Sequence, residues 1–333
     1  SIVLNNYSWD FKNYDIVKDI KFKDTISLET QFISYPKKNT RSGSFEEIFE
    51  NPLLNCEIES ENWFCYPAKV GELLAFIYFH RDFMANGIAL SNLFEMAHRD
   101  EYIGVKPDIV YLYGAEDITI DKNKEHKTVF YDDKDNEILV GLVTYSKEVD
   151  YFGYLKKMTL TLHNISMIKR GYLPIHGAMV SITLKDGTSS NIVIVGDSGA
   201  GKSESLEAFR SLGEEYISDM TIIFDDMGVL KIAHDGVYGY GTEIGAFVRL
   251  DDLDQGYAFK EIDRSIFMNP DKTNARLVMP VSNYRDIIMG NKVDLFLYAN
   301  NYEKAENGTI KLYSKNQLQD VIKVFRDGNR FAK

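Results

Sequence analysis

Apolar and polar positions alternate in some stretches of this chain and cluster in others, and the two habits predict different elements. In the first 50 residues the alternation in SIVLNNYSW and TISLETQFISY predicts short strands, followed by an exposed basic loop, PKKNTRSGS, that carries Lys37, Lys38 and Arg41. Apolar residues at three- and four-residue spacing over 69–98, among them Leu73, Phe76, Ile77 and Phe83, predict two helices, KVGELLAFIYFHRDF and IALSNLFEMAH, divided at Asn86-Gly87. His80 and His98 within them read as packing or surface side chains. DIVYLY (108–113) has the unbroken apolar character of a buried strand, and 127–145 reads as a hairpin turning on DDKDNE. A mostly helical stretch over 151–169 carries Lys156-Lys157. LPIHGAMVSITL is then a strand with His176 near its start, joined by the turn KDGTSSN to the apolar run Ile192-Val193-Ile194-Val195. Two strands so joined lie side by side and leave His176 at one end of the sheet.

That second strand runs straight into GDSGAGKSE, which fits G-x-x-x-x-G-K-[ST] between a strand and a Gly-free, Pro-free helical stretch over 202–211. Each residue type has a mechanical task. Gly196, Gly199 and Gly201, with Asp197, Ser198 and Ala200 between them, let successive backbone N–H groups converge on phosphate oxygens, and Lys202 adds a full positive charge at the helix start. Ser203 offers a hydroxyl to a divalent metal, and Glu204 closes the motif. A nucleotide or another polyphosphate is the expected ligand.

Beyond the loop, EEYISDMTIIF is predicted as a strand with Asp219 in apolar surroundings, where a carboxylate is costly unless a cation or metal accompanies it. Asp219 is therefore the expected second metal contact. Asp225-Asp226-Met-Gly, between Ile222-Ile223-Phe224 and VLKI, reads as a turn, which accounts for both acids. Residues 236–290 read as short strands and loops, including NARLVMPV with Arg276. VDLFLYAN is another expected buried strand, and 315–325 a terminal helix.

At 333 residues the chain is long enough for two moderate domains, 1–150 and 151–333, each with its own core. A formal charge of −12 repels a phosphate backbone, so no nucleic-acid partner is expected, whereas one loop and one metal supply enough local positive field for a nucleotide. The two cysteines, Cys56 and Cys65, fit neither a zinc knuckle nor a disulfide framework. No stretch approaches the ~18 apolar residues of a membrane helix, and SIVLNNYSWDF lacks a basic start followed by an apolar run. A cytoplasmic protein with no membrane partner is the expectation, and the opening Ser1 leaves room for residues ahead of it.

Several blocks together resemble one superfamily. YFGYLKK, LPIHGA, GDSGAGKSE, YISD, FDDMGVLKI and NARLVMPV occur in the order seen in ATP-type phosphoenolpyruvate carboxykinase, over roughly residues 150–300. The phosphate loop, and the interval from Lys202 to Asp219, look more like HPr kinase/phosphorylase, a protein-serine kinase on the same nucleotide-binding core. The resemblance implies a mixed α/β (α+β) fold: a carboxykinase-like P-loop nucleotide-binding domain with a mixed sheet over 151–333, and a smaller N-terminal α/β domain that selects the acceptor. It also implies that Lys157 and His176 ligate a transition metal or face the acceptor, that Arg276 stabilises the transferring phosphoryl group, that residues 196–204 hold the nucleotide phosphates, and that Ser203, Asp219 and His176 bind metal. Both families have two successive acids at the YISD position, where this chain has Asp219 and then Met220.

The expected activity is transfer of the γ-phosphoryl group of ATP (or GTP) to a hydroxyl of a small molecule or protein, with Mg²⁺ and/or Mn²⁺. Two alternatives stand beside it. One is a true phosphoenolpyruvate carboxykinase, converting oxaloacetate and nucleotide to phosphoenolpyruvate and CO₂; the other is a regulatory module that binds nucleotide without chemistry, motivated by Met220.

Overall fold

The computed structural model of the chain describes residues 2–4, 13–119, 126–196, 205, 206, 208, 209, 213, 215–252, 262–299 and 312–326. Over these residues the protein is mixed α/β, mostly strands, arranged in three sheets that include a curled half-barrel. None of its described helices is long and apolar enough to cross a membrane.

The opening strands β1 (Ile2–Leu4) and β2 (Lys21–Thr25) pair antiparallel, β3 (Phe32–Ser34) joins a different sheet, and β4 (Glu46–Ile48) and β5 (Cys56–Glu57) are short. β6 (Trp63–Val70) and β7 (Leu73–His80) form a hairpin through Gly71-Glu72, with Gly71 at φ 56°, a conformation that side chains resist. This hairpin stands where the first of two helices was expected. Burial explains the difference: Leu73, Ala75, Ile77 and Phe79 enter one core cluster with Tyr111 and Leu155, while Phe76 and Tyr78 enter another with Phe22 and Val110. A strand covered on both faces has period two yet no polar face, so LLAFIYF contains helix-like spacings by coincidence, and its aromatic and β-branched content suits a sheet. The expected break at Asn86-Gly87 lies inside α1 (Met84–Ala89), and of the second expected helix only Ile88 and Ala89 are α-helical; a 3-10 turn and β8 (Glu95–Met96) take up most of the rest, ahead of α2 (Arg99–Tyr102).

β9 (Ile109–Asp117) is the buried strand expected from DIVYLY, and β10 (Thr128–Asp133) with β11 (Ile138–Thr144) is the hairpin expected on DDKDNE. The first sheet reads β1-β2-β6-β7-β9-β11-β10-β4, with β5 on β9 and β8 on β6. Both cysteines are free and buried within it.

Next comes α3 (Phe152–Lys169), the helix expected over 151–169, which packs against β9 and β11 and also against β12 (Leu173–Leu184) of the second sheet. Contact on two sides accounts for its composition. Twelve of its 18 residues are buried, so apolar residues surround it rather than form one stripe. It ends at Arg170, followed by Gly171 at φ 82°, as helix C-termini commonly do.

In the second sheet β12 pairs antiparallel with β13 (Ser189–Val195), as expected, and on its other side with the long β14 (Ile217–Ala233). Between β13 and β14, residues Ser205, Leu206, Ala208 and Phe209 are helical, and Leu206 is buried against Ala178, Val180, Ile194 and Ile222. β15 (Gly236–Gly241) continues from β14 as a hairpin. β16 (Gly245–Arg249), β17 (Ile266–Met268) and β18 (Arg276–Pro280) form the third sheet with β3, in the order β16-β18-β17-β3. Strand β3 thus brings residues from before position 150 into the sheet of Arg276. β19 (Asn291–Lys292) and β20 (Leu295–Tyr298) complete the second sheet, β19-β15-β14-β12-β13-β20. β20 was expected to be buried; as an edge strand it leaves Leu295 42 % and Phe296 44 % exposed. The terminal helix spans Leu318–Arg326.

The basic loop after β3 is pinned rather than free. Asn39 donates to the Thr273 carbonyl, Asn274 to the Asn39 carbonyl and Asn269 to that of Pro36, while Lys38 N–H reaches the Asp150 carbonyl at the start of α3.

Candidate functional site

Strand register decides which side chains meet. Gly177 of β12 lies opposite both Val195, the last residue of β13, and Asp226 of β14. Strands β13 and β14 therefore run parallel to each other on either side of β12; β13 ends level with His176, while β12 and β14 stay paired beyond it to Leu173 and Leu230, so the expected end of the sheet at His176 is an edge on the β13 side only. Gly196 leads out of β13 at this edge. Gly177 is needed here, because a Cβ on it would come within 2.7 Å of the Ile194 carbonyl oxygen.

Helix α3 supplies cations to the same place. Lys156 Nζ is 2.8 Å from Asp226 Oδ2 and 3.1 Å from Glu243 Oε1, Lys157 Nζ is 3.8 Å from Asp226 Oδ2, and His176 Nε2 is 3.0 Å from Asp226 Oδ1. Lys156 is only 3 % exposed, whereas the Lys157 and His176 side chains are about half exposed. The inner members of the cluster are fixed counter-ions and the outer ones face solvent.

Burial and charge set the protonation of the group. Burial alone would raise the Asp226 carboxyl, but the Lys156 charge, a hydrogen bond from His176 and the Lys157 charge outweigh it and hold Asp226 far below the usual carboxylate range. Burial would lower Lys156, yet Glu243 and Asp226 keep it charged well above its ordinary value. Glu243 fares differently: burial pushes it up to about 7, Lys156 pulls it back only in part, and the neighbouring Asp226 charge adds to the rise. One ammonium serves two carboxylates, and Asp226 is the one that also meets His176 and Lys157.

Arg276 opens β18, with its guanidinium 5.4 Å from the Phe247 ring centre and its Nε buried without a hydrogen-bond partner. Tyr151, just ahead of α3, joins it to the cluster. Burial raises the Tyr151 hydroxyl, and the charges of Arg276, Lys156 and Arg41, with a hydrogen bond from Arg276, act against that rise. Lys156, Lys157 and Arg276 thus stand with Asp225, Asp226 and Glu243, and of the three cations Lys157 is the half-exposed one that an incoming phosphate or carboxylate could meet.

Of the residues singled out from the sequence, Lys157, His176 and Gly196 gather at this edge, and Arg276 reaches it through Tyr151. Asp219 does not. It lies opposite Thr183, seven residues down β12 from His176, so roughly 20 Å of strand separates the two ends. Asp219 is exposed there and Met220 faces Ile182, so neither the expected metal acid nor the missing second acid belongs to this edge. Asp197, Ser198, Gly199, Ala200, Gly201, Lys202, Ser203 and Glu204 lie outside the described residues. Among the described residues no three His, Cys, Asp or Glu side chains are grouped to hold a metal. The two Asp226 oxygens are engaged by Lys156 and His176, so a metal here would need an oxygen donor from elsewhere.

The successive acids at this edge are Asp225 and Asp226, expected to form a turn. Instead β14 passes through them, facing Ala178 and Gly177, because the ladder to β12 continues and the cations hold the charge. Their signal was an apolar run, Ile222-Ile223-Phe224, ending in carboxylates on a strand parallel to the loop strand and one strand removed from it. Lys156 was not legible: Phe152, Leu155, Met158, Thr159 and Leu160 are all buried, yet Lys157 among the same neighbours is half exposed. Glu243 follows Thr242 at the end of β15, and no spacing marked it. Compared with known proteins, the chain matches no protein-family model and matches no curated protein.

Proposed function

We propose that this chain is a nucleotide-dependent phosphotransferase with a carboxykinase-like P-loop nucleotide-binding fold, and that the edge around His176 and Asp226 is its active site. One observation carries the reading: the strand that leads into the GDSGAGKS motif ends level with a pair between the buried Lys156 and the part-buried Asp226 that also engages His176. A phosphate-loop enzyme needs an acid within reach of the loop, and here Asp226 lies level with the end of β13, part-way along the parallel strand β14 on the far side of β12.

In this reading Lys202 and the amides of residues 196–203 hold the β and γ phosphates, while Ser203 and an acid of the Asp225-Asp226 pair hold Mg²⁺ or Mn²⁺. The metal, when bound, neutralises phosphate charge. Lys156 fixes the Asp226 carboxylate, and Asp226 in turn orients the His176 imidazole through Nε2. Lys157 and Arg276 add positive charge that compensates the moving phosphoryl group. The half-exposed faces of His176 and Lys157 are where an acceptor hydroxyl would approach, so His176 is the candidate to take its proton.

Incubation of the purified chain with Mg²⁺ and ATP tests the reading. Nucleotide turnover is expected, and its loss in Lys202→Ala with an unchanged circular-dichroism spectrum supports it; equal turnover in that variant removes it.

A further inference from the structure

A second polar enclosure lies at the start of α3, between Lys37 of the basic loop, Asp82 and Phe83 after β7, and the segment 145–150. Its volume is about 240 Å³. That is enough for a few-carbon metabolite and below the ~300–1,000 Å³ of clefts that take drug-sized ligands. None of its residues belongs to the cluster around Asp226.

Its acids are engaged by the protein and its cations are not. Asp150 accepts from Lys37 N–H and from Asn86 Nδ2, each at 3.0 Å, and its carbonyl accepts from Lys38 N–H at 3.1 Å. Asp82 Oδ2 accepts from the Tyr145 hydroxyl at 2.7 Å. Ser146 Oγ accepts from Glu148 N–H, which leaves its own O–H to donate. Lys38 is paired with Glu148 at 2.7 Å, but among the described residues the ammonium groups of Lys37 and Lys147, both on the wall of the cavity, have no partner. The Asp150 clamp ties the basic loop, α1 and the entry to α3 together, so the wall is built before any ligand arrives.

We propose that this cavity binds a small metabolite bearing a carboxylate or phosphate group, held between the Lys37 and Lys147 ammonium groups and the Ser146 hydroxyl, with a short apolar body against Phe83 and the Tyr145 ring. Charge-assisted hydrogen bonds to two unpaired ammonium groups supply the affinity against the charges of Asp82 and Asp150, whose oxygens are held by Tyr145, Asn86 and the Lys37 amide. The site stands apart from the proposed phosphate loop and does not rest on it.

Calorimetric titration of the full chain carrying Lys202→Ala, which silences the loop, tests this with succinate and with inorganic phosphate as separate probes. Saturable binding of at least one probe is expected, weakened about tenfold or more by Lys37→Ala with Lys147→Ala and again by Lys147→Glu alone. Succinate alone identifies a carboxylate ligand and phosphate alone a phosphoryl ligand. Both lysines are exposed, so these variants keep the fold, as circular dichroism checks. No saturable binding of either probe, or binding unchanged in the lysine variants, overturns the proposal.

Discussion

Strand β14 carries carboxylates at two levels of its pairing with β12, a lower end near its start and an upper end level with the last residue of β13, and the two differ in every respect that matters to chemistry. At the lower end Asp219 faces Thr183, exposed, with no ion-pair partner among the described residues. At the upper end Asp226 faces Gly177 and meets Lys156, Lys157 and His176. The residue type is the same, and the strand is the same. What separates them is the helix that crosses the upper end: α3, covered on two sides by sheets, carries a lysine into the protein interior, and a buried cation fixes where a carboxylate has a purpose.

The largest effect should come from removing that cation. Lys156→Met leaves Glu243 buried without its ammonium and the part-buried Asp226 with only Lys157 and His176, and is expected to cost about 3–5 kcal/mol of stability in urea unfolding. Lys157→Met, at a half-exposed position, is expected to cost less than about 1 kcal/mol. Equal losses would break the distinction between inner and outer members of the cluster.

A smaller effect is expected from Glu243, through pH. Its folded value is raised from 4.5 to about 7, so between these values the folded protein holds a proton that the unfolded chain has released, and its contribution to stability falls as pH rises through that window. His163, wholly buried on α3, has the opposite sign. Burial lowers it from 6.5 to about 4, so its contribution rises with pH over that range. The two slopes oppose each other in the natural chain. Glu243→Gln should remove one of them, so that from pH 4.5 to 7 the natural chain loses about 3 kcal/mol relative to the variant, measured by urea unfolding at each pH. A pH-independent difference would deny Glu243 its place beside Asp226. The smallest effect belongs to the lower end: Asp219→Asn should change stability by no more than about 0.5 kcal/mol, as exposed substitutions do.

Elements with a strong local signature were legible in the sequence. The strands around His176 and Val195, the hairpin on DDKDNE and the helix over 151–169 all follow from apolar runs and turn residues. Position along a strand was not legible. EEYISDMTIIF and FDDMG both place acids beside apolar residues, and only the register with β12 shows which acid reaches the edge of the sheet. The hairpin of β6 and β7 was masked for a different reason. A strand buried on both faces loses its alternation, and LLAFIYF then satisfies a helical template equally well. Lys156 and Lys157 are adjacent in sequence and alike in type; their separation into a buried counter-ion and a half-exposed cation comes from the two-sided packing of α3, which no local pattern records.

A side-by-side measurement of Mg²⁺-dependent ATP turnover in Asp226→Asn and Asp219→Asn tests the central claim most directly. The upper end of β14 as the catalytic edge predicts that Asp226→Asn loses about a hundredfold or more while Asp219→Asn stays within about twofold of the natural chain, both with unchanged circular dichroism. Full turnover in Asp226→Asn, with its loss in Asp219→Asn, would contradict it.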